Sequence, residues 1–199
     1  LEALSMRQDI EKVSIMGALD LHHLNIYKPE ITGGRVRMDS LFLGSVLRKT
    51  VAAGETSYSP IRLSQVAQIA STHRHFDIAA ASVSPMDRHG WFSLGTNPDY
   101  IYSIIHNCQP RCCILEVNRH MPRTLGETMI HISQVTAVIE HDAPLVEIPP
   151  AEPSREDYQM AAIIADMVED GSCLQLGIGV LPSLIGRFLE DKKDLGVHS

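Results

Sequence analysis

Short apolar runs separated by stretches of helical periodicity set the rhythm of this chain. Leu1, Leu4 and Ile10 recur at roughly helical spacing and predict the tail of a helix, and Val13 to Leu19 predicts a strand. From Asp20 to Met38 the periodicity fades around Pro29 and the Gly33-Gly34 pair, so a loop is expected there. Asp39 or Ser40 then offers an N-cap for a helix reaching Ala53, with Leu43, Val46, Leu47 and Thr50 on one face and Gly54 as its stop. Ile61 to Leu63 reads as a short strand and Ser64 to Ala70 as a helix. Phe76 to Val83, apolar without a break after Asp77, reads as a strand buried on both faces.

Pro85, Asp87, Gly90 and Gly95 mark Ser84 to Gly95 as a loop. Thr96 or Asn97 is the expected cap of the next helix, whose first turn holds Pro98 and Asp99. Cys112 to Val117 and Val135 to Glu140 follow as strands, and the alternation predicts an α/β fold with a mostly parallel sheet flanked by helices. Pro149, Pro150 and Pro153 suit neither a helix nor a central strand. An extended linker is therefore expected over 148–153, dividing residues 1–147 from 154–199. Beyond it Ser154 and Asp157 form a capping-box pair. The helix they open is expected to turn Ala161, Ile164, Met167 and Val168 inward and to end at Gly171.

Charge and composition narrow the function classes. A net charge of -7, a pI near 5.8 and no run of Lys or Arg argue against nucleic acid as a partner. No apolar stretch is long enough to span a membrane, and no secretory pattern is visible. Cys108, Cys112, Cys113 and Cys173 include an adjacent pair and keep no even spacing, which predicts reduced thiols in a cytoplasmic protein. His22 and His23 are neighbours, and His73 and His75 lack a third ligand at suitable spacing, so no metal site is expected. Asp87 and His89 read as turn residues rather than a catalytic pair.

The richest stretch is the last. Cys173 to Leu176 predicts a buried parallel strand, and Gly177 and Gly179 permit a sharp turn that admits a ligand close to the backbone. Pro182 suits the first turn of a helix carrying Leu184, Ile185, Phe188 and Leu189, and Leu195 to Val197 begins another strand. The unit is β-turn-α-β. It is not a dinucleotide fingerprint, because Pro182 occupies the third glycine position and removes an amide there.

Leu174 to Pro182 followed by Asp194-Leu-Gly-Val-His-Ser199 resembles the acetyl-CoA hydrolase/transferase group of family I CoA-transferases, close to 4-hydroxybutyrate and acetate CoA-transferases. Ser84 to Tyr100, Glu116 to Gly126, and His131-Ile-Ser133 with Glu140 to Leu145 carry the same resemblance, in the family's order along nearly the whole chain. It implies a CoA-transferase-like α/β domain over 1–147 and the start of a second, similar domain over 154–199. In that family the residue after the His-Ser pair is the catalytic glutamate. The sequence is accordingly expected to be an N-terminal fragment, inactive alone, with its nucleophile just beyond Ser199.

The activity so implied passes CoA from a short-chain acyl-CoA to a carboxylic acid through a glutamyl-CoA thioester. Acyl-CoA hydrolysis by the same family, or a non-catalytic ligand-sensing domain, is the alternative. No tightly bound cofactor is implied; acyl-CoA is a substrate, the rest of the protein's own chain a partner, and a homo-oligomer the expected assembly. Gly177, Ile178, Gly179, Val180 and Leu181 match the CoA-lining turn, and Gln175 a glutamine near the reacting carboxylate, against a plain strand-end role. Thr96, Asn97 and Tyr100 are candidates for the acid pocket, against simple helix capping. Arg123 would hold a carboxylate or tie down its loop.

Overall fold

The computed structural model describes the chain except for Leu19, residues 21–23, Ser45, Arg74, residues 148–150 and Ser199, together with the side chains of Glu2 and His73. It divides into two compact units, Leu1–Val146 and Glu147–Ser199.

The first unit runs α1 (Glu2–Ser5), β1 (Val13–Gly17), a 3-10 turn (Asn25–Tyr27), α2 (Pro29–Thr32), β2 (Val36–Ser40), α3 (Leu47–Ala52), β3 (Thr56–Tyr58), α4 (Leu63–His73) and β4 (Ile78–Val83). It continues through β5 (Trp91–Ser93), α5 (Ile101–Asn107), β6 (Cys112–Val117), β7 (Met129–His131), a 3-10 turn (Ile132–Gln134) and β8 (Ala137–Glu140). Strands β1, β2 and β3 form one parallel sheet, with Val13 opposite Val36 and Met38 opposite Thr56. Strands β4, β6 and β8 form another, and β5 pairs antiparallel with β7. The expected mostly parallel α/β architecture is what the chain adopts.

Two apolar clusters carry this unit. One gathers Leu94, Leu115 and Ile130 with Val83, Phe92 and Ile104; the other gathers Leu47, Ile26, Tyr27 and Met38. Full burial of each large side chain stabilises by about 1.5–3 kcal/mol.

Several local expectations are corrected here. Val36–Ser40 is a strand, although its first residues fell in the expected loop and Asp39 and Ser40 were the expected helix cap. Its polar end hid it. Asp39 is buried because Ser59 Oγ donates to both carboxylate oxygens at 2.9 and 3.1 Å, and buried Ser40 donates to the Phe42 carbonyl at 2.7 Å. The strand expected at Ile61 lies instead at the polar Thr56–Tyr58, while Ile61 lines a cavity of about 310 Å³ with Met16, Leu41 and Val66. Strand β5 sits inside the expected loop 84–95. Strand β4 is not buried on both faces: Ile78 is 56% exposed while Ala79 and Val83 are buried. Helix α5 starts only at Ile101, with Tyr100 as N-cap and no side-chain cap, so neither Thr96 nor Asn97 caps it.

The second unit runs α6 (Arg155–Asp166), β9 (Cys173–Leu174), α7 (Val180–Phe188) and β10 (Gly196–Val197), with β9 and β10 parallel. The capping box is present: Ser154 Oγ accepts from the Asp157 amide at 3.1 Å, and Asp157 Oδ2 accepts from the Ser154 amide at 2.8 Å. Ala161 and Ala165 are small enough for α6 to pack close to Leu184, Ile185 and Leu189 of α7. Met167 is 75% exposed, contrary to its expected inward place, because α6 ends at Asp166 and Ala165 takes the inner position. Part of the expected linker, 148–150, lies outside the described residues.

Candidate active site

In the second unit the chain leaves β9 at Leu174 and turns through Gly177-Ile178-Gly179 into α7. Gly179, the N-cap, has φ 146° and ψ 179°, a conformation open essentially to glycine alone. Crowding is not the reason for glycine here. A Cβ at Gly177 or Gly179 would meet only Pro182, at 3.8 Å in both cases, so the backbone is bare on both sides of the turn. No side chain caps the helix, and the first-turn amides of Val180 and Leu181 have no acceptor within it. Such amides, with the helix dipole behind them, favour an anionic or carbonyl oxygen. Ile178 is 94% exposed, and Gln175 is exposed with no hydrogen bond holding its amide among the described residues.

Strands β9 and β10 give the turn its neighbour. Gly196 lies opposite Cys173 and Val197 opposite Leu174, and the His198 amide donates to the Leu174 carbonyl at 2.9 Å. The ladder therefore carries His198 alongside Gln175.

In the first unit Thr96 and Asn97 are exposed on the loop before α5. Both the amide and the hydroxyl of Thr96 face Met121 Sδ, at 3.5 and 3.6 Å, and the Asn97 amide donates to the Leu94 carbonyl at 3.0 Å. The Tyr100 hydroxyl is pushed up to about 12, first by burial and then by the charges of Asp99 and Asp20. Arg123 Nη2 is 2.5 Å from Asp87 Oδ2, and Arg123 Nη1 donates to the Trp91 carbonyl at 3.2 Å. That is loop anchoring; binding a substrate carboxylate would require the guanidinium to exchange these partners. Asp87 Oδ1 also accepts from the amides of His89 and Trp91, at 2.8 and 2.9 Å. The Trp91 amide is the main reason the carboxyl is held below its usual range. Asp87 thus organises its turn, as its sequence context suggested.

Two features escaped the sequence reading. Buried Ser93 Oγ accepts from the amides of Gly95 and Thr124 at 3.1 and 3.0 Å, which locks the 93–97 loop onto the 121–128 loop. Small hydroxyl residues beside Gly95 were the only signal. The second is Asp20, which accepts from Tyr27 Oη at 2.5 Å. A lone acid in an apolar stretch was its signal. A separate cavity of about 350 Å³ lies at the carboxyl ends of β4, β6 and β8, lined by Met86, Val117, Arg119, Val138 and Asp142, with Arg119 paired to Asp142 at 3.4 Å.

Among the described residues no group of three or more His, Cys, Asp or Glu side chains could hold a metal, while His22 and His23 lie outside them. All four cysteines are free. No helix is long and apolar enough to cross a membrane among the described residues.

Residues 14–150 match the acetyl-CoA hydrolase/transferase N-terminal domain model. The chain belongs to the acetyl-CoA hydrolase/transferase family. It is 34% identical to a butyryl-CoA:acetate CoA-transferase of Anaerostipes caccae over 206 residues, covering 100% of this chain and 46% of that protein. It is 35% identical to a 4-hydroxybutyrate coenzyme A transferase of Clostridium kluyveri over 164 residues, covering 82% and 38%. Among solved structures, RipA from Yersinia pestis superposes with a TM-score of 0.86 at 34% identity over 99% of this chain and 47% of that one. A 4-hydroxybutyrate CoA-transferase from Porphyromonas gingivalis, at 23% identity and a TM-score of 0.69 over 98% and 50%, shares the fold. The chain spans about half or less of the length of these relatives.

Proposed function

We propose that the protein containing this chain transfers CoA between a short-chain acyl-CoA and a carboxylic acid, through a thioester on a glutamate directly following Ser199. One observation carries the reading: the bare amides at Gly177–Leu181 stand at the head of α7 beside a strand pair whose next residues run along that turn. The glutamate carboxylate attacks the acyl-CoA carbonyl, and the thiolate leaves as an anhydride forms. The thiolate then attacks the glutamyl carbonyl of that anhydride, expelling the first acid and leaving glutamyl-CoA. A second carboxylate reverses both steps and departs with CoA. Each addition puts negative charge on an oxygen, which the turn amides and the Gln175 amide are suited to receive. Thr96, Asn97 and Tyr100 supply the acid pocket in this reading, and residues 1–199 alone do not turn over.

The test is mass spectrometry of the full-length protein after mixing with acyl-CoA and no acid. A gain equal to CoA less one water, mapped to the residue after Ser199, is expected. Gln175→Ala is expected to slow turnover by a factor on the order of 10². Turnover without that adduct would overturn the glutamyl thioester, and an unchanged rate would remove Gln175 from the mechanism.

A further inference from the structure

Beyond β1 the chain buries a charge it does not fully satisfy. Asp20 Oδ1 accepts from the buried Tyr27 hydroxyl at 2.5 Å, but Oδ2 is closed off from solvent with no hydrogen-bond partner. Burial raises this carboxyl, and the Tyr27 bond opposes the rise. Across from it, at the head of α5, the oxygen of Tyr100 accepts from the Ala18 amide. Its own hydrogen has no acceptor among the described residues. Asp20 is near enough for its charge to act on Tyr100, yet the two are not hydrogen-bonded. Gly17 keeps the space open. A Cβ there would stand 3.7 Å from Asp20 Oδ2 and 2.6 Å from Met38 Cε.

An unused acceptor facing an unused donor defines the group that satisfies both. A carboxylate offers no hydrogen to Asp20 and brings a second negative charge, a methyl group offers nothing, and an ammonium cannot accept from Tyr100. A hydroxyl donates once and accepts at the same atom. We propose that Asp20 and Tyr100 bracket a hydroxyl on the acyl chain of the carboxylic-acid substrate, Asp20 Oδ2 taking its hydrogen and Tyr100 donating to its oxygen. This rests on the acid pocket placed at Tyr100 above and narrows the substrate class to hydroxylated short-chain acids. Both residues are specificity determinants, and Tyr27 is a positioning residue that holds the Asp20 carboxyl.

The experiment compares butyrate, 3-hydroxybutyrate and 4-hydroxybutyrate as CoA acceptors for the full-length protein and its Tyr100→Phe and Asp20→Asn variants. The wild type is expected to prefer one hydroxy acid over butyrate by about tenfold or more in kcat/KM, since a site built around a hydroxyl discriminates against the analogue lacking it. Either variant is expected to shrink that ratio about tenfold, equal to about 1.4 kcal/mol. A wild-type ratio near one, or a ratio unmoved by both variants, overturns the proposal. So does a loss confined to hydrolysis of acyl-CoA, which would make the bracketed hydroxyl that of water. If no acid is turned over, it is the proposed transferase activity that fails. The same ratio is then read from equilibrium binding of the three acids by calorimetry, with the same two outcomes. Should Tyr100→Phe fold poorly, Asp20→Asn gives the answer by itself.

Discussion

Gly95 is where a single methyl group should do most damage near the loop that precedes α5. Its φ is +58°, and an added Cβ would stand 2.4 Å from Met121 Sδ, 2.6 Å from Met121 Cγ and 2.8 Å from the Pro122 carbonyl oxygen. Met121 is 3% exposed and cannot simply swing into solvent, and the Pro122 contact is backbone. Left-handed backbone costs an L-residue about 1–2 kcal/mol, and overpacking a filled site costs about 1–3 kcal/mol more. Gly95→Ala is therefore expected to destabilise by about 2–5 kcal/mol. Gly54→Ala isolates the first contribution. Gly54 has φ +77° with nothing within 4 Å of an added methyl, so only the backbone cost of about 1–2 kcal/mol applies. Urea unfolding followed by the fluorescence of Trp91, the one tryptophan of the chain, reads the unit that holds both glycines. Equal losses in the two variants would refute the packing argument.

Ser154→Ala removes the side-chain acceptor of the capping box and is expected to cost about 1 kcal/mol, seen as faster amide exchange in the first turn of α6; unchanged exchange would mean the cap contributes nothing. The Asp87 carboxyl is lowered in the folded chain, chiefly by the Trp91 amide, with the Arg123 charge adding to it. Its contribution is thus present above the ordinary carboxylate value and is lost as pH falls through the lowered one. Acid unfolding below about pH 5 should be less steep in Asp87→Asn than in the wild type, and parallel curves would contradict this.

The architecture was legible because strands such as Cys112–Val117 and helices such as α6 carry their signals locally, in apolar runs and in the Ser154–Asp157 pair. Strand β2 was not, because its buried Asp39 and Ser40 are satisfied by Ser59 and Phe42, partners that no local window reveals. The glycine turn could be read from Gly177, Gly179 and Pro182, whose backbone demands are intrinsic. The start of α5 could not: Thr96 and Asn97 look like caps, yet Asp99 Oδ1 accepts from the Tyr100 amide at 2.7 Å and the helix starts at Ile101. Asp20 was equally silent, since only folding brings Tyr27 and Tyr100 around it.

Strand β8 ends its sheet, and all four of its residues, including Val138 and Ile139 at 42% and 55%, are exposed. An open ladder edge with aliphatic side chains is a template for another strand, and nothing along Ala137–Ile139 repels one. In concentrated solution this rim would favour sticky, sheet-extending association, and a lysine placed at Ile139 is the kind of gatekeeper that keeps such a rim soluble.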